Sequence, residues 1–160
     1  MPTQDELKKI FDYHPDGTLT WKIHSGKSKI GKPAGVVNPN GYLRTGFNKK
    51  IYANHRLIYM LHHGNLPEII DHIDGNPLNN RIENLRPANK YQNQQNQKLT
   101  SRNSSGFKNL GFCNQTKKWV VSIRINNKPK TIGRFSDIEL ADLVAQECRS
   151  LYHGEYARSY

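Results

Sequence analysis

Short apolar and alternating segments, separated by turn residues, occupy the first half of the chain. Strand signals lie at residues 17–23, 35–37, 41–44 and 50–53. The turn dipeptides Asp16-Gly17 and Asn40-Gly41 directly precede two of them. A helix is predicted from His55 to His63, because apolar residues fill its centre and Gly64 closes it. These elements predict a β-rich platform under the residues that follow.

The next segment changes from an apolar run to a polar loop and back. The run ends in Asp71-His72, and a loop rich in Gly, Asn and Pro leads to a short strand around Leu85. Asn89 can cap a helix that carries Asn93 on its first turns. Strand, loop, strand and helix form a ββα unit, which can bring Asp71, His72 and Asn93 together across a small cleft.

A polar stretch divides the chain. Residues 91–105 are mostly Gln, Asn, Ser and Lys, which offer almost nothing to bury, so part of this stretch is predicted to be a linker. The predicted organisation is a first domain at 1–98, a linker at 99–104 and a second domain at 105–160.

The second domain shows three strand signals followed by one helix. Residues 119–125 alternate, which puts Val121 and Ile123 on a core face and Ser122 and Arg124 on the opposite face. The pattern predicts a three-stranded antiparallel sheet with its helix packed on the Val121 side.

The ends of the last strand and of the helix also have signals. Asn126-Asn127 predicts a hairpin turn into a strand at 128–135. Ser136 with Glu139 predicts the start of the helix as a capping box. The whole chain is therefore expected to be α+β, with a ββα unit on the platform and this small sheet beside it.

The distribution of charge indicates which kind of molecule this chain binds. The formal net charge is +11, and residues 17–67 contain eight Lys or Arg and no Asp or Glu. Residues 84–136 contain eleven basic residues and no acidic one. Such a positive field attracts a polyanion, so nucleic acid is the expected partner. A merely solubilising basic surface is the alternative, and a membrane surface fits less well because the basic residues lie on strand-like segments.

The remaining composition excludes several classes. Only Cys113 and Cys148 are present, which excludes a dense disulfide framework and a zinc site of paired CxxC motifs. No run of about eighteen apolar residues and no apolar leader is seen, so we expect no membrane span and a cytoplasmic protein.

The Asp71-His72 unit suits the hydrolysis of a phosphodiester bond. An imidazole can take the proton of a water near neutral pH, so His72 is the candidate general base. A hard divalent cation prefers oxygen ligands, so Asp71 and Asn93 are the candidate ligands of Mg²⁺, with Mn²⁺ as the alternative metal. Asp74 is interpreted as a turn residue, because the spacing of an EF-hand is absent.

These residues resemble the HNH nucleases, in particular the phage and intron-encoded homing endonucleases. The resemblance covers roughly residues 50–97 and rests on His55-Arg56-Leu57, Asp71-His72, Asn84-Leu85-Arg86 and Asn93. It implies that His72 is the base, that Asn84 holds the connecting loop, and that Asn93 binds the metal with Asp71. In this setting His55 and Arg56 are expected to support the site or to contact phosphate, and a purely structural hydrogen-bonding role for His55 is the alternative.

The second domain resembles the Apetala/ethylene-response-factor DNA-binding domain. The resemblance rests on residues 105–112, 117–124 and 131–135 and the helix after them. It implies a sheet whose open face meets the DNA major groove, with phosphate contacts around it. By position, the residues expected on that face are Lys108, Ser122, Arg124 and Thr131. The residues expected to contact phosphates are Lys117, Lys118, Lys128 and Lys130.

The sequence therefore predicts a site-directed, single-metal DNA endonuclease that acts as a monomer on double-stranded DNA. A homing or mobile-element role follows from the resemblance, and a phage origin would place the protein in the host cytoplasm. One alternative is a DNA-binding regulator with an inactive nuclease unit. Another is an RNA-directed protein, which the lack of an aromatic pair on the open face makes less favourable.

Overall fold

The computed structural model describes residues 1–27, 29–97, 99, 103–125 and 128–157. The chain forms two compact units, Met1–Asn89 and Lys90–Tyr160. The linker expected at 99–104 thus falls inside the second unit, and its residues 100–102 lie outside the described residues. Within the described residues, no helix combines the length and the apolar character needed to cross a bilayer.

The first unit begins with a helix and a hairpin. These elements are α1 (Gln4–Ile10), β1 (Phe11–Tyr13) and β2 (Leu19–Trp21). Helix α1 starts at a capping box, in which the Thr3 hydroxyl accepts from the Glu6 N–H and the Glu6 carboxylate accepts from the Thr3 N–H. The β1–β2 hairpin is antiparallel, with Phe11 opposite Trp21.

The expected platform is a second antiparallel sheet. Its strands are β3 (Val36–Val37), β4 (Leu43–Phe47) and β5 (Lys50–Ala53), in the order β3-β4-β5. Helix α2 (Asn54–His63) follows directly and ends at Gly64, which adopts the left-handed conformation with φ 70°. The prediction of a helix at 55–63 closed by Gly64 is confirmed.

The Asp71-His72 segment is the end of a strand. Strand β6 (Ile69–His72) pairs antiparallel with β7 (Leu85–Ala88), and the chain between them closes with a 3₁₀ turn at Ile82–Asn84. Apolar side chains from helices α1 and α2, the β1–β2 hairpin, the β3–β4–β5 sheet and the β6–β7 pair form one core. Its buried members are Leu7, Phe11, Leu19, Trp21, Ala34, Phe47, Leu57, Ile58, Tyr59, Ile70 and Leu85.

The second unit contains the helix expected after Asn89 and the expected sheet. Its elements are α3 (Lys90–Gln95), β8 (Leu110–Cys113), β9 (Lys118–Ile125), β10 (Lys128–Phe135) and α4 (Ile138–His153), followed by a 3₁₀ turn at Gly154–Tyr156. The sheet is antiparallel in the order β10-β9-β8. Helix α4 packs Ala141 and Ala145 against Leu110 and Val121. The predicted α+β fold class, with a three-stranded sheet and one packed helix, is confirmed.

Two local details concern the end of this sheet. The helix cap expected at Ser136 is wrong: Asp137 caps α4, and its carboxylate accepts from the Leu140 N–H at 2.7 Å. An ionised carboxylate is a stronger acceptor than a hydroxyl, and it also complements the helix dipole. The hairpin turn expected at Asn126-Asn127 lies outside the described residues.

A bulge in β10 decides which side chains share a face. The register pairs Thr131 with Ser122, then shifts by one residue, so that Arg134 pairs with Val120. Because paired residues of antiparallel strands point the same way, the shift puts Arg134 on the side of Ser122 and lets Phe135 join the core.

Candidate active site

The β6–β7 pair places an ion pair at the start of the site. Asp71 lies opposite Arg86, and its Oδ2 accepts hydrogen bonds from Arg86 Nε at 3.0 Å and Nη2 at 2.8 Å. Both residues are buried, with 5% of Asp71 and 9% of Arg86 exposed. A buried carboxylate needs such compensation, and the two hydrogen bonds from Arg86 fix the orientation of Asp71.

Asn84 holds the loop between the two strands. Its Oδ1 accepts from the Asp74 N–H at 3.0 Å, and its Nδ2 donates to Asp74 Oδ1 at 3.0 Å and to the Asn79 carbonyl at 2.8 Å. Its own carbonyl accepts from the Ile73 N–H at 2.9 Å. One buried amide thus ties together both ends of the loop, which is the role that the resemblance implies for it.

Asp74 is the acceptor at the centre of this loop. Burial alone would raise the pKa of its carboxyl, but hydrogen bonds from the Asn76 N–H and from the Asn79 and Asn84 side chains outweigh burial and lower it. Its oxygens accept at 2.8 Å from Asn76 N–H and at 2.7 Å from Asn79 Nδ2. This geometry agrees with the interpretation of Asp74 as a turn residue.

His72 is buried at the end of β6, with 5% of its surface exposed. Its Nε2 lies 3.1 Å from Asn80 Oδ1. The ring of His55 crosses the His72 ring edge to face, with centroids 5.1 Å apart, and the ring of Tyr42 lies 6.0 Å from His72 and 5.6 Å from His55. The His72 ring therefore sits against two other rings and one amide.

His55 is neutral in this setting. Burial, followed by the electrostatic effect of the nearby His72 and Arg56 side chains, lowers the pKa of His55 to about 3. His55 is therefore neutral near pH 7. The other supporting candidate, Arg56, donates from Nη1 to the Glu68 carbonyl at 3.0 Å, which fixes the chain entering β6.

The N-terminal hairpin contacts the same loop. The Tyr13 hydroxyl accepts from the Ile82 N–H at 3.0 Å. Gly17, with φ +87°, lies so close that a Cβ there would be 2.5 Å from Arg81 N and 2.6 Å from the carbonyl carbon of Asn80. The hairpin thus holds the loop segment that carries Asn80.

The expected metal ligands lie in different units. Asp71 belongs to the first unit, whereas Asn93 is a half-buried residue of α3 in the second. Within the described residues, no cluster of three or more His, Cys, Asp or Glu is arranged to hold a metal. One carboxylate and one amide are nevertheless hard oxygen ligands of the kind that suit Mg²⁺, which keeps several of its waters. Taken separately, each side chain thus offers an oxygen donor of the kind that Mg²⁺ prefers.

Sequence reasoning missed three contributors to this site. Asn80 and Tyr42 were not singled out, and Gly17 was assigned only to a turn. Asn80 stands in the pair Asn79-Asn80, and its neighbour looks equivalent in sequence. The side-chain contacts alone separate them, since Asn79 bonds to Asp74 and Asn80 to His72.

The open face of the sheet in the second unit carries a basic and polar surface. We call it the open face, and by register Val120, Gly111 and Cys113 belong to it. Its other members, on which the argument rests, are Lys118, Ser122, Arg124, Pro129, Thr131 and Arg134. All but Pro129 have side chains that can donate a hydrogen bond, and all six residues are exposed. A cleft of about 490 Å³ lies along it, and its lining includes Tyr91 and Gln94 of α3 with Ser122 and Arg124.

The other DNA-contact candidates lie off this face. Lys128 and Lys130 are exposed on the edge strand β10 but pair with Ile125 and Ile123, so they share the helix side of the sheet. Lys117 is exposed in the β8–β9 turn, at φ 51°.

Lys108 has a different environment. It is half-buried, and its Nζ donates to the carbonyls of Gln95 at 2.6 Å and Gln97 at 2.9 Å. In this conformation Lys108 satisfies carbonyls at the end of α3.

Comparison with known proteins connects this geometry to a family. The HNH endonuclease family matches residues 52–95, a stretch that runs from β5 to α3 and crosses the boundary between the two units. Protein 3.8 of Escherichia phage T7 is 32% identical over 111 residues, which cover 68% of this chain and 91% of the relative. No solved structure matches the chain. The matched stretch contains Asp71, His72, Asn84 and Asn93, and this chain belongs to the family of protein 3.8 of phage T7, with an HNH endonuclease domain at residues 52–95.

Proposed function

We propose that this protein is a DNA endonuclease that hydrolyses phosphodiester bonds with His72 as its general base. The observation that carries the proposal is the position of His72 within the matched HNH stretch. Its ring is held by Asn80 and by two neighbouring rings at the end of a strand. The previous residue of that strand is Asp71, which is buried and bonded to Arg86.

In the proposed reaction, the unprotonated ring nitrogen of His72 takes a proton from the attacking water as the water oxygen bonds to phosphorus and the 3′ oxygen leaves. Asn84 keeps the loop closed, so that His72 and Asp71 stay in place. Asp71 and Asn93 would hold a single Mg²⁺ or Mn²⁺, which supplies charge stabilisation at the phosphate and the leaving oxygen when bound. His55 stays neutral and packs the base from the side.

We propose further that the second unit is a DNA-binding module like the Apetala/ethylene-response-factor domain. Arg124, Ser122 and Thr131 would reach the bases from the open face, with Lys118 beside them. Lys117, Lys118, Lys128 and Lys130 are the proposed phosphate contacts. Lys108 would reach DNA only after leaving its carbonyl partners.

A binding surface of this kind would direct the cut to chosen sites on double-stranded DNA, which suits a homing role in a phage or mobile element. A monomer with both units in one chain would be enough.

The experiment is cleavage of supercoiled DNA, followed as nicked or linear product, by the intact chain and by His72→Ala. The matched control is His24→Ala, which removes an exposed histidine of the same unit. We expect Mg²⁺-dependent cleavage that EDTA stops, that His24→Ala retains, and that His72→Ala reduces at least 10²-fold. Thermal unfolding of each variant shows that it is folded.

Two outcomes would contradict the proposal. Full cleavage by His72→Ala would remove His72 as the base. DNA binding without cleavage, across Mg²⁺ and Mn²⁺ and several targets, would instead favour a DNA-binding regulator with an inactive nuclease unit.

A further inference from the structure

Asn80 is the direct polar neighbour of the proposed base. Its side chain is fully buried, with 1% of the residue exposed, and its Oδ1 lies 3.1 Å from His72 Nε2. It differs from its neighbours in the loop, because Asn79 and Asn84 direct their side-chain amides to Asp74. A buried amide that bonds to a histidine can fix both the ring and its proton.

The orientation of the Asn80 amide follows from its other partner. Asn80 Nδ2 lies 3.3 Å from the Leu78 carbonyl oxygen. A carbonyl oxygen only accepts hydrogen bonds, so the NH₂ group must face Leu78 and the amide oxygen must face His72. That oxygen also only accepts, and the proton of this contact therefore belongs to His72 Nε2.

A neutral imidazole carries one ring proton. With that proton on Nε2, the nitrogen that can accept a proton is Nδ1. Rotation of the ring by a half turn would place a nitrogen and a carbon in each other's positions, which would break the bond to Asn80. The amide therefore selects one ring orientation as well as one tautomer.

We propose that Asn80 is a positioning residue that holds the proton of His72 on Nε2 and thereby presents Nδ1 to the attacking water. This inference rests on the proposed function, in which His72 is the general base. Asn80 acts through His72 and needs no contact with DNA or metal. The hairpin at Gly17 and Tyr13 supports it by fixing the backbone of residues 80–82.

The test observes the proton directly, in protein without metal or DNA. Nitrogen-15 NMR of the histidine rings at about pH 8.5, where an ordinary imidazole is neutral, distinguishes a protonated from an unprotonated ring nitrogen. In the unmodified chain we expect His72 to show a protonated Nε2 whose hydrogen is protected from exchange with water, and an unprotonated Nδ1. His72→Ala assigns the signals.

Three variants separate positioning from a purely structural role. Asn80→Ala removes the acceptor, so the Nε2 proton should lose its protection and the two ring nitrogens should move toward the averaged shifts of a free imidazole. Asn80→Asp keeps an acceptor toward His72 but loses the hydrogen bond to the Leu78 carbonyl, and it should preserve the protected proton. Asn79→Ala removes the adjacent amide of the same loop and should leave the His72 signals unchanged.

Activity gives a second readout. Asn80→Ala should lower kcat by about 10- to 100-fold with little change in KM, because a misplaced base slows proton transfer without weakening DNA binding. Asn80→Asp should recover part of that loss, as a group that only packs the loop would not.

Defined results would overturn the inference. A protonated Nδ1 in the unmodified chain, or a protected Nε2 proton that survives in folded Asn80→Ala, would do so. Loss of that proton in folded Asn80→Asp would do so as well, even if Asn80→Ala does not fold. Because the NMR signals require neither metal nor cleavage, they can bear out the Asn80 contact while His72→Ala still cuts DNA, and the two proposals fail separately.

Discussion

Gly17→Ala should damage the candidate active site through the loop backbone, because Gly17 lies against the segment that carries Asn80. Gly17 adopts φ +87°, and an added Cβ would lie 2.5 Å from Arg81 N, 2.6 Å from Asn80 C and 3.0 Å from Asn80 O. Non-bonded heavy atoms prefer about 3.5 Å or more, so the loop backbone would have to retreat by about 1 Å. All three contacts are backbone atoms, which cannot rotate away as the end of a side chain can.

The expected cost has two parts. An L-residue in this left-handed region costs about 1–2 kcal/mol, and steric overlap in a packed region adds about 1–3 kcal/mol. The free energy of unfolding should therefore fall by about 2–5 kcal/mol. A displacement near 1 Å at the residue that orients a base can cost about 10²-fold in rate, so kcat should fall by more than the folded fraction explains.

Gly31→Ala is the matched control. Gly31 has φ +76° in the same unit, but a Cβ there meets nothing within 4 Å. Gly31→Ala has the cost of the left-handed backbone without the steric overlap. Its free energy of unfolding should fall by about 1–2 kcal/mol, and its cleavage rate should not change. Urea unfolding and plasmid cleavage, each measured for both variants where they are folded, give the comparison. Equal losses of stability and equal cleavage rates in the two variants would refute the argument that the hairpin fixes the Asn80 loop.

Two further predictions concern His55 and the open face. The pKa of His55 is lowered to about 3, whereas an unfolded histidine titrates near 6.5, so the unfolded chain binds more protons between these values and stability falls as the pH falls. Between pH 7 and pH 5, His55 should lower the free energy of unfolding by about 2 kcal/mol. Urea unfolding at these two pH values should show that His55→Phe lacks this loss. An equal pH dependence of stability in the unmodified chain and in His55→Phe would count against a buried neutral His55. On the open face, Arg134→Gln should weaken DNA binding as Arg124→Gln does and reduce the slope of log K against log salt by about 1, while Lys9→Gln on α1 should leave the slope unchanged. An Arg134→Gln slope equal to that of the unmodified chain would show that the bulge does not deliver Arg134 to DNA.

The candidate catalytic residues were easier to predict from the sequence than the hairpin contacts that hold their loop in place. Asp71-His72 and Asn84 are polar residues at the ends of apolar strands, and their local pattern alone marks them. Thr3 and Glu6 have the spacing of a capping box, but no helix was predicted from them. The hairpin that follows pairs only three residues, and nothing local shows that it meets residues 80–82. Contacts between segments far apart in sequence leave no periodic signal.

The open face shows a second reason for such gaps. Alternation predicted correctly that Ser122 and Arg124 oppose the core, because β9 is regular. In β10 the same rule, continued from Thr131, would turn Arg134 toward the core and Phe135 outward. The bulge reverses both, since a large apolar ring is better buried and a guanidinium better exposed, and that gain can outweigh one disrupted ladder position.

The loop after His72 is rich in amides for a related reason. Its backbone N–H groups bond to Asp74, Asn76 and Asn84. A further charged side chain would compete with Asp71 for Arg86 or alter the field at His72. Asparagine offers a donor and an acceptor on a short neutral chain, so Asn84 can bond at both strand ends while Asn80 bonds to the base. Replacing either by aspartate adds a charge to this region, and Asn84→Asp would also place a second carboxylate 3.0 Å from Asp74. The role of a given amide in such a loop therefore depends on which atom it faces, and the substitution that keeps the acceptor is the one that reveals it.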